Sequence, residues 1–442
     1  MRHKYLPRAV PLAAPLAALL AALALVLLPA AAHAANFDVE TATRAWLDTL
    51  QGPARAKSDA YFEGGYWLIL WGTVVSVLFD GLLLKFALSA RFRDLGERVF
   101  KRPAGVTWIT ALCYSAVGWA VMLPWSIYTG FVRERQYDLM NQTFAAWIVD
   151  ALKGLGISLV IFPLLVMAVY AVIRRFPRNW WLLATGVIAA FLSFGMLVGP
   201  VYIAPLFNKY TELPAGPVRD RIVAMAQAKS IPSDHIYLFD ASKQSKRISA
   251  NVSGIGPTIR ISLNDNLLNR STEAEIAAVM GHELGHYVLN HVWSSLLFLS
   301  ALAAVILFLV SRLAPRIIAN YGARWRVRDI GDPASLPVLG ILIAAFSLLA
   351  TPLTNTLVRV NESQADAFGL DAAKEPDGFA SVAMKLSEYR KIEPGPIEEL
   401  LFFDHPSGAT RVRMSMQWKQ DQVPDAQMVT PPPMPQSARK PE

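Results

Sequence analysis

Met280-Gly281-His282-Glu283-Leu284-Gly285-His286, followed closely by the apolar run Val292–Val310, decides how this chain is read. The first part carries H-E-x-x-H. On a helix, positions i and i+4 share a face, so both imidazoles can reach one metal ion, and Glu283 stands beside the open coordination position. Zinc held there lowers the pKa of a bound water, and the glutamate takes its proton as the water attacks a carbonyl. The implied chemistry is amide hydrolysis. Thr272-Glu273-Ala274-Glu275 fits a capping box, and Ile276, Ala277, Val279 and Met280 lead an apolar stripe into the motif, so the helix is expected to be packed. Histidines buried beside a glutamate need a metal or hydrogen-bond partners. The second part is long enough to cross a bilayer.

Composition extends the membrane reading. The chain is 54% hydrophobic and only 17% charged, with 12 Trp, which fits a surface that partly faces lipid. Six internal runs reach spanning length: Tyr66–Leu88, Val106–Phe131, Ala145–Ile173, Trp180–Phe207, Val292–Val310 and Leu336–Leu357. A single such run could be a buried core helix; six in one chain make that reading untenable. A seventh, Val10–Ala32, follows the basic residues Arg2, Lys4 and Arg8 and precedes Ala32-His33-Ala34. Residues 1–34 therefore read as a secretory signal peptide or an uncleaved first membrane helix, with cleavage favoured.

Basic residues gather in alternate loops. Arg91, Arg93, Arg98, Lys101 and Arg102 follow the first internal run, Arg174, Arg175 and Arg178 the third, and Arg312 to Arg328 separate the fifth from the sixth. Cytoplasmic loops carry such an excess, which puts the H-E-x-x-H face on the opposite, periplasmic side of a bacterial inner membrane. The net charge of +8 is thereby accounted for, and no nucleic-acid partner is implied. The lone Cys113 permits neither an internal disulfide nor a cysteine-based zinc site.

A catalytic zinc usually takes a third protein ligand. His291 misses the spacing of a third histidine, since that position holds Val292, and it reads as the polar end of a helix meeting the membrane. Glu362 is the better candidate, with Asp366 one helical turn on, able to orient a histidine ligand. Two spans separate His286 from Glu362, one outward and one returning, so both reach the same membrane face. Between the fourth and fifth spans, Asn208–Ser271 reads as soluble α/β, with strands at Ile236–Phe239, Arg247–Gly254 and Thr258–Leu263. The expected organisation is a multi-helix membrane part at 60–207, a metallopeptidase part at 208–420 containing two membrane helices, and a disordered proline-rich tail at 422–442.

These blocks together resemble the type I CAAX prenyl protease family of integral-membrane zinc metallopeptidases, with HtpX-like proteases more distant. The resemblance rests on Tyr128-Thr129-Gly130-Phe131-Val132 with Asn141-Gln142-Thr143, and on Ile203-Ala204-Pro205-Leu206-Phe207-Asn208-Lys209-Tyr210. It continues through Ser249-Ala250-Asn251-Val252-Ser253-Gly254, both metal motifs, and His405-Pro406 with Arg411. It implies a mainly α, polytopic bundle, a ring of helices around a chamber, with a small α/β gluzincin-type domain at one membrane face. It implies one Zn2+ per chain on His282, His286 and Glu362, and Glu283 as general base. Asp366 would be a proton donor or support, His405 and Arg411 would steady the oxyanion or order the site, and Asn251 would hold substrate backbone. Two departures stand out. Ser363 replaces the family's usual aromatic residue, and the family's cytosolic zinc domain conflicts with the charge bias. Peptide or membrane-protein substrates fit this reading. A non-catalytic metal-containing scaffold or chaperone is the alternative, and an intact Glu283 argues against it. The sequence leaves the physiological substrate and the oligomeric state open.

Overall fold

The computed structural model of the chain describes residues 37–254 and 259–433. The signal-like leader, the turn at residues 255–258 and the last part of the tail lie outside the described residues. A short helix, α1 (Val39–Leu47), comes first, N-capped by Asp38, whose carboxylate accepts the Thr41 amide at 2.7 Å. Its Trp46 and Leu47 pack on Val412 and Met416 near the other end of the chain.

Among the described residues, six helices are long and apolar enough to cross a membrane: α2 (Gly52–Lys85), α4 (Pro103–Gln136), α5 (Phe144–Arg175), α6 (Trp180–Leu206), α10 (His291–Trp325) and α11 (Pro333–Ala373). The amphipathic α3 (Leu88–Val99) joins the first two. Each long helix outruns the apolar stretch that marks it in the sequence, because its polar end turns continue outside the hydrocarbon layer and dock on other parts of the protein. α2 begins well before Tyr66; there Arg55 reaches Glu393 and Ser58 hydrogen-bonds the carbonyl of Ser387. Most of the spanning surface is unburied, and Leu78, Val160, Leu297 and Leu349 are exposed. For a soluble fold this would be a liability, whereas in lipid it is the expected state.

The spans form a closed ring. α2 packs on α11, α11 on α10, α10 on α6, α6 on α5 and α5 on α4, while Tyr114 and Phe79 bring α4 back to α2. The ring is tightest at one end, where Leu84, Tyr170, Trp180, Val310 and Val338 share a single buried cluster. The Arg-rich loops lie at that end.

At the opposite end sits a mixed four-stranded sheet, β1 (Tyr210–Glu212), β2 (Ile236–Phe239), β3 (Ala250–Ser253) and β4 (Arg260–Asn264), in the order β1-β2-β4-β3. β2 and β4 run parallel, and the other two pairs are antiparallel. β3 is therefore an edge. Helices α7 (Pro217–Ala228), α8 (Asp265–Arg270) and α9 (Glu273–Val288) complete this layer, with Ile236, Ile261 and Leu263 packed on Ile276, Met280 and Leu284. The capping box of α9 closes: Thr272 Oγ1 accepts the Glu275 amide at 3.3 Å, and Glu275 Oε2 accepts the Thr272 amide at 2.7 Å. Three further helices, α12 (Pro376–Leu386), α13 (Pro396–Phe402) and α14 (Gly408–Gln422), follow α11. Residues 423–433 carry no helix or strand.

The out-and-back hairpin of α10 and α11 brings residue 362 back to α9. α11 does not stop at the membrane; one continuous helix joins the ring to the α9 contact. There the two backbones nearly touch. A Cβ on Gly281 would lie 2.8 Å from the carbonyl oxygen of Gly369, and one on Gly369 would lie 2.7 Å from the amide nitrogen of His282. Gly281→Ala should consequently push the helices apart and cost about 1–3 kcal/mol, read as a lower unfolding temperature of the detergent-purified protein. An unchanged transition would mean the crossing is looser than described.

Candidate metal centre and active-site cleft

α9 and α11 supply the central donors. His282 and His286 are one turn apart on α9, and their Nε2 atoms lie 3.0 Å from each other. Glu362 of α11 completes a triangle, with Oε2 3.3 Å from His282 Nε2 and Oε1 3.4 Å from His286 Nε2. Zinc bonds of ~2.0–2.1 Å in a tetrahedron separate neighbouring ligand atoms by roughly 3.3 Å, so the spacing fits one zinc ion. These three residues are the metal-competent cluster found among the described residues.

Each histidine is oriented from behind. His282 Nδ1 donates to Asp366 Oδ1 at 2.7 Å. His286 Nδ1 meets His291 Nδ1 at 2.9 Å, and His291 Nε2 reaches Gln364 Oε1 at 3.0 Å. If Gln364 takes the His291 proton, His291 Nδ1 is left to accept from His286, and His286 Nε2 is free to ligate. His291, the first residue of α10, is thus both a helix end and a buried positioning group. The sequence offered one signal for it, a histidine five residues past the motif. Gln364 offered none.

The centre calls for a cation. Burial disfavours charge on His282, but hydrogen bonds to Asp366 and Glu362 outweigh it and push the imidazole up to about 10 in the metal-free protein. A metal ion at the same donors would replace that proton. Asp366 is fully buried, with both oxygens engaged: Oδ2 takes Arg411 Nε at 2.8 Å, and Oδ1 takes Arg411 Nη2 at 2.9 Å besides His282. Arg411 Nη2 also donates to Glu362 Oε2 at 3.1 Å. The guanidinium on α14 therefore ties both carboxylates of α11 together.

A cavity of about 240 Å³ opens beside the donors, lined by His282, Glu283, Glu362, His405, Tyr389 and Arg390 among others. Glu283 makes no hydrogen bond to any described residue, and burial pushes its carboxyl up against the opposing pull of His282 and His286. His405 is held by Asp404 at 2.8 Å and comes within 3.3 Å of Glu362 Oε2; burial pushes its imidazole down. Arg390, which sequence reasoning passed over, faces this cavity, and burial lowers its pKa. Asn251 behaves differently from the other expected residues. It lies on the edge strand β3, between Ala250, which lines this cavity, and Val252, which lines the next one beside His286; its own side chain lines neither.

Comparison with known proteins bears on this arrangement. The model of peptidase family M48 matches residues 212–418, and that of the CAAX prenyl protease N-terminal region, described as five membrane helices, matches residues 46–209. The chain belongs to the type I CAAX prenyl protease family. An uncharacterized metalloprotease of Bacillus subtilis is 28% identical to this family member, covering 74% of the chain and 76% of the relative. CAAX prenyl protease 1 of Saccharomyces cerevisiae is 28% identical, covering 68% and 71%. The crystal structure of Ste24p from S. mikatae superposes with a TM-score of 0.71 at 22% identity, over 84% of this chain and 90% of that one, and so shares its fold. The chain is accordingly a multi-pass membrane metalloprotease.

The positioning chain behind His286 is testable in this setting. His291→Ala should keep the fold but weaken metal affinity about 10- to 100-fold, measured by competition with a zinc chelator. Wild-type affinity in that variant would remove His291 from the site.

Proposed function

We propose that this protein is a zinc endopeptidase that hydrolyses peptide bonds of peptides or membrane-associated proteins at the boundary of a bacterial cytoplasmic membrane. The observation that carries the reading is the His282, His286 and Glu362 triangle, set at zinc-ligand spacing beside a Glu283 that has no hydrogen-bond partner among the described residues. A structural metal site has no use for such a carboxylate. Zinc held by the three donors supplies Lewis acidity to a peptide carbonyl and acidifies a water.

The chain's own groups divide the remaining work. Glu283 takes a proton from the attacking water and returns it to the departing amine, and its burial-raised pKa suits a group that must do both. Asp366 fixes the His282 ring, and Arg411 neutralises Asp366 and Glu362, so both are ordering groups rather than proton donors to substrate. His405, steadied by Asp404, lines the cavity and would meet the oxyanion, with Tyr389 and Arg390 as further donors in the same lining. β3 offers an unpaired edge along the cleft, and an extended substrate would add to it through backbone hydrogen bonds. In that binding mode Asn251 contributes through its main chain, with its neighbours Ala250 and Val252 lining the two cavities.

We place the cleft on the periplasmic side. The Arg-rich loops share the far end of the ring, and although Arg93, Arg326 and Arg328 are ion-paired with Asp332, Asp94 and Glu97, orientation follows the count of basic residues rather than net charge. On this reading the substrates are envelope proteins.

Two measurements test the proposal. Glu283→Gln should keep one zinc per chain by elemental analysis while peptide hydrolysis falls about 10²-fold or more; retained turnover would move the base role elsewhere. For orientation, single cysteines in place of Lys243 and Arg178 on a Cys113→Ala background should differ toward a membrane-impermeant thiol reagent in spheroplasts. Residue 243 should label at once and residue 178 only after lysis. The reverse pattern would put the cleft in the cytosol and leave the chemistry intact.

A further inference from the structure

A second polar cavity lies at the other end of α11, roughly 40 Å from Glu362 at 1.5 Å per helical residue. It holds about 560 Å³ between α3, the start of α4, the end of α5 and the turn before α11, with Phe100, Lys101, Val106, Arg174 and Arg328 in its lining. Two of the three carboxylates here are paired with arginines, and the third, Asp329, accepts backbone amides. Asp332 accepts Arg93 Nη1 at 2.6 Å and the Arg328 amide at 2.9 Å; Glu97 accepts both terminal nitrogens of Arg328 at 2.6 and 3.1 Å. Asp329 Oδ1 accepts the amides of Gly331 and Asp332.

Two cations of the lining have no such match. Arg174 gives Nη1 to Thr107 Oγ1 at 3.1 Å and to the carbonyl of Gly331 at 3.3 Å, and makes no ion pair with any described residue, feeling Asp329 only as a longer-range attraction. Lys101 is exposed, with no hydrogen bond or ion pair to any described residue. Pro103, the first residue of α4, also lines the cavity, and no side chain caps that helix, so its N-terminus adds partial positive charge.

The surroundings choose between anions. α3 leaves Leu95 and Val99 exposed, and Phe100 follows them, next to Arg91 and Arg98, which make no ion pair with any described residue. Apolar side chains displayed beside free cations at the end of a membrane bundle mark a helix lying in the headgroup layer. Phe100, Pro103 and Val106 give the cavity an apolar wall that an inorganic anion would not use. We propose that this cavity binds the phosphodiester headgroup of an anionic phospholipid from the adjacent leaflet. Lys101 and Arg174 hold the phosphate oxygens, and Phe100 and Val106 pack on the glycerol and first methylenes. The lipid would brace the tight end of the ring, and basic pockets between membrane helices are suited to such headgroups.

Native mass spectrometry of the full-length protein in detergent, titrated with phosphatidylglycerol or phosphatidylcholine, tests this. The wild type should retain one phosphatidylglycerol in preference to phosphatidylcholine. Lys101→Glu, an exposed change, and Arg174→Gln should each weaken retention about fivefold or more, whereas Arg312→Gln, a charge loss outside the cavity, should not. Equal retention of both lipids, unchanged binding in Lys101→Glu, or an equal loss in Arg312→Gln would overturn the site. Heat protection by inorganic phosphate without protection by phosphatidylglycerol would overturn the lipid assignment in favour of a soluble anion.

Discussion

The crossing of α9 and α11 at Gly281, Gly285, Ala365 and Gly369 is the contact on which the rest of this molecule depends, because two helices can share three metal donors only if their backbones approach this closely. Built Cβ positions on either glycine of the central pair fall within 2.8 Å of the opposing backbone, a separation no side chain can relieve by changing rotamer. The result is a fixed distance between two rigid rods. One rod ends in the H-E-x-x-H turn, and the other carries Glu362 and Asp366 on successive turns facing it. Because α11 continues without interruption into the membrane ring, the site is built on the same element that spans the bilayer.

Electrostatics would oppose this construction if the charges were not matched. Glu283, Glu362 and Asp366 converge in a partly dehydrated space, and unpaired carboxylates there would be costly. Arg411 offsets two of them directly, using three donor contacts from one planar group, a geometry a lysine could not reproduce. The remaining imbalance falls on the space among His282, His286 and Glu362. There the protein holds either a proton, as the raised pKa of His282 indicates, or a metal ion. Metal affinity and proton affinity are thus two outcomes of one local excess of negative charge.

The two ends of the ring are built differently for the same reason. At the Arg-rich end the spans converge on a common apolar cluster, and ion pairs such as Arg93 with Asp332 seal the turns. At the other end the long helices continue into the layer that holds the sheet, and polar contacts such as Tyr61 and Arg247 on Glu134 join α2, α4 and the segment before β3.

Much of this was legible in the sequence because it is local. Spanning length and hydropathy marked six membrane helices, the capping box marked the start of α9, and the i, i+4 period put His282 and His286 on one face. Glu362 was legible through topology, since an out-and-back pair of spans must return to the face it left. Side-chain pairings across the chain were not. Nothing local to His291 announces that it meets His286 Nδ1, and nothing in the spacing of β3 says that Ala250 and Val252, rather than Asn251, would line the cavities. Arg390 carries no periodic or motif signal, and Gln364, though inside the second metal motif, gives no sign that it would meet His291. Hydropathy and helical period are properties of neighbouring residues, so the sequence by itself determined the elements, their order and the chemistry each could bring. Which side chains meet depends on how closely rigid backbones approach across hundreds of residues, and only the tertiary structure decided that.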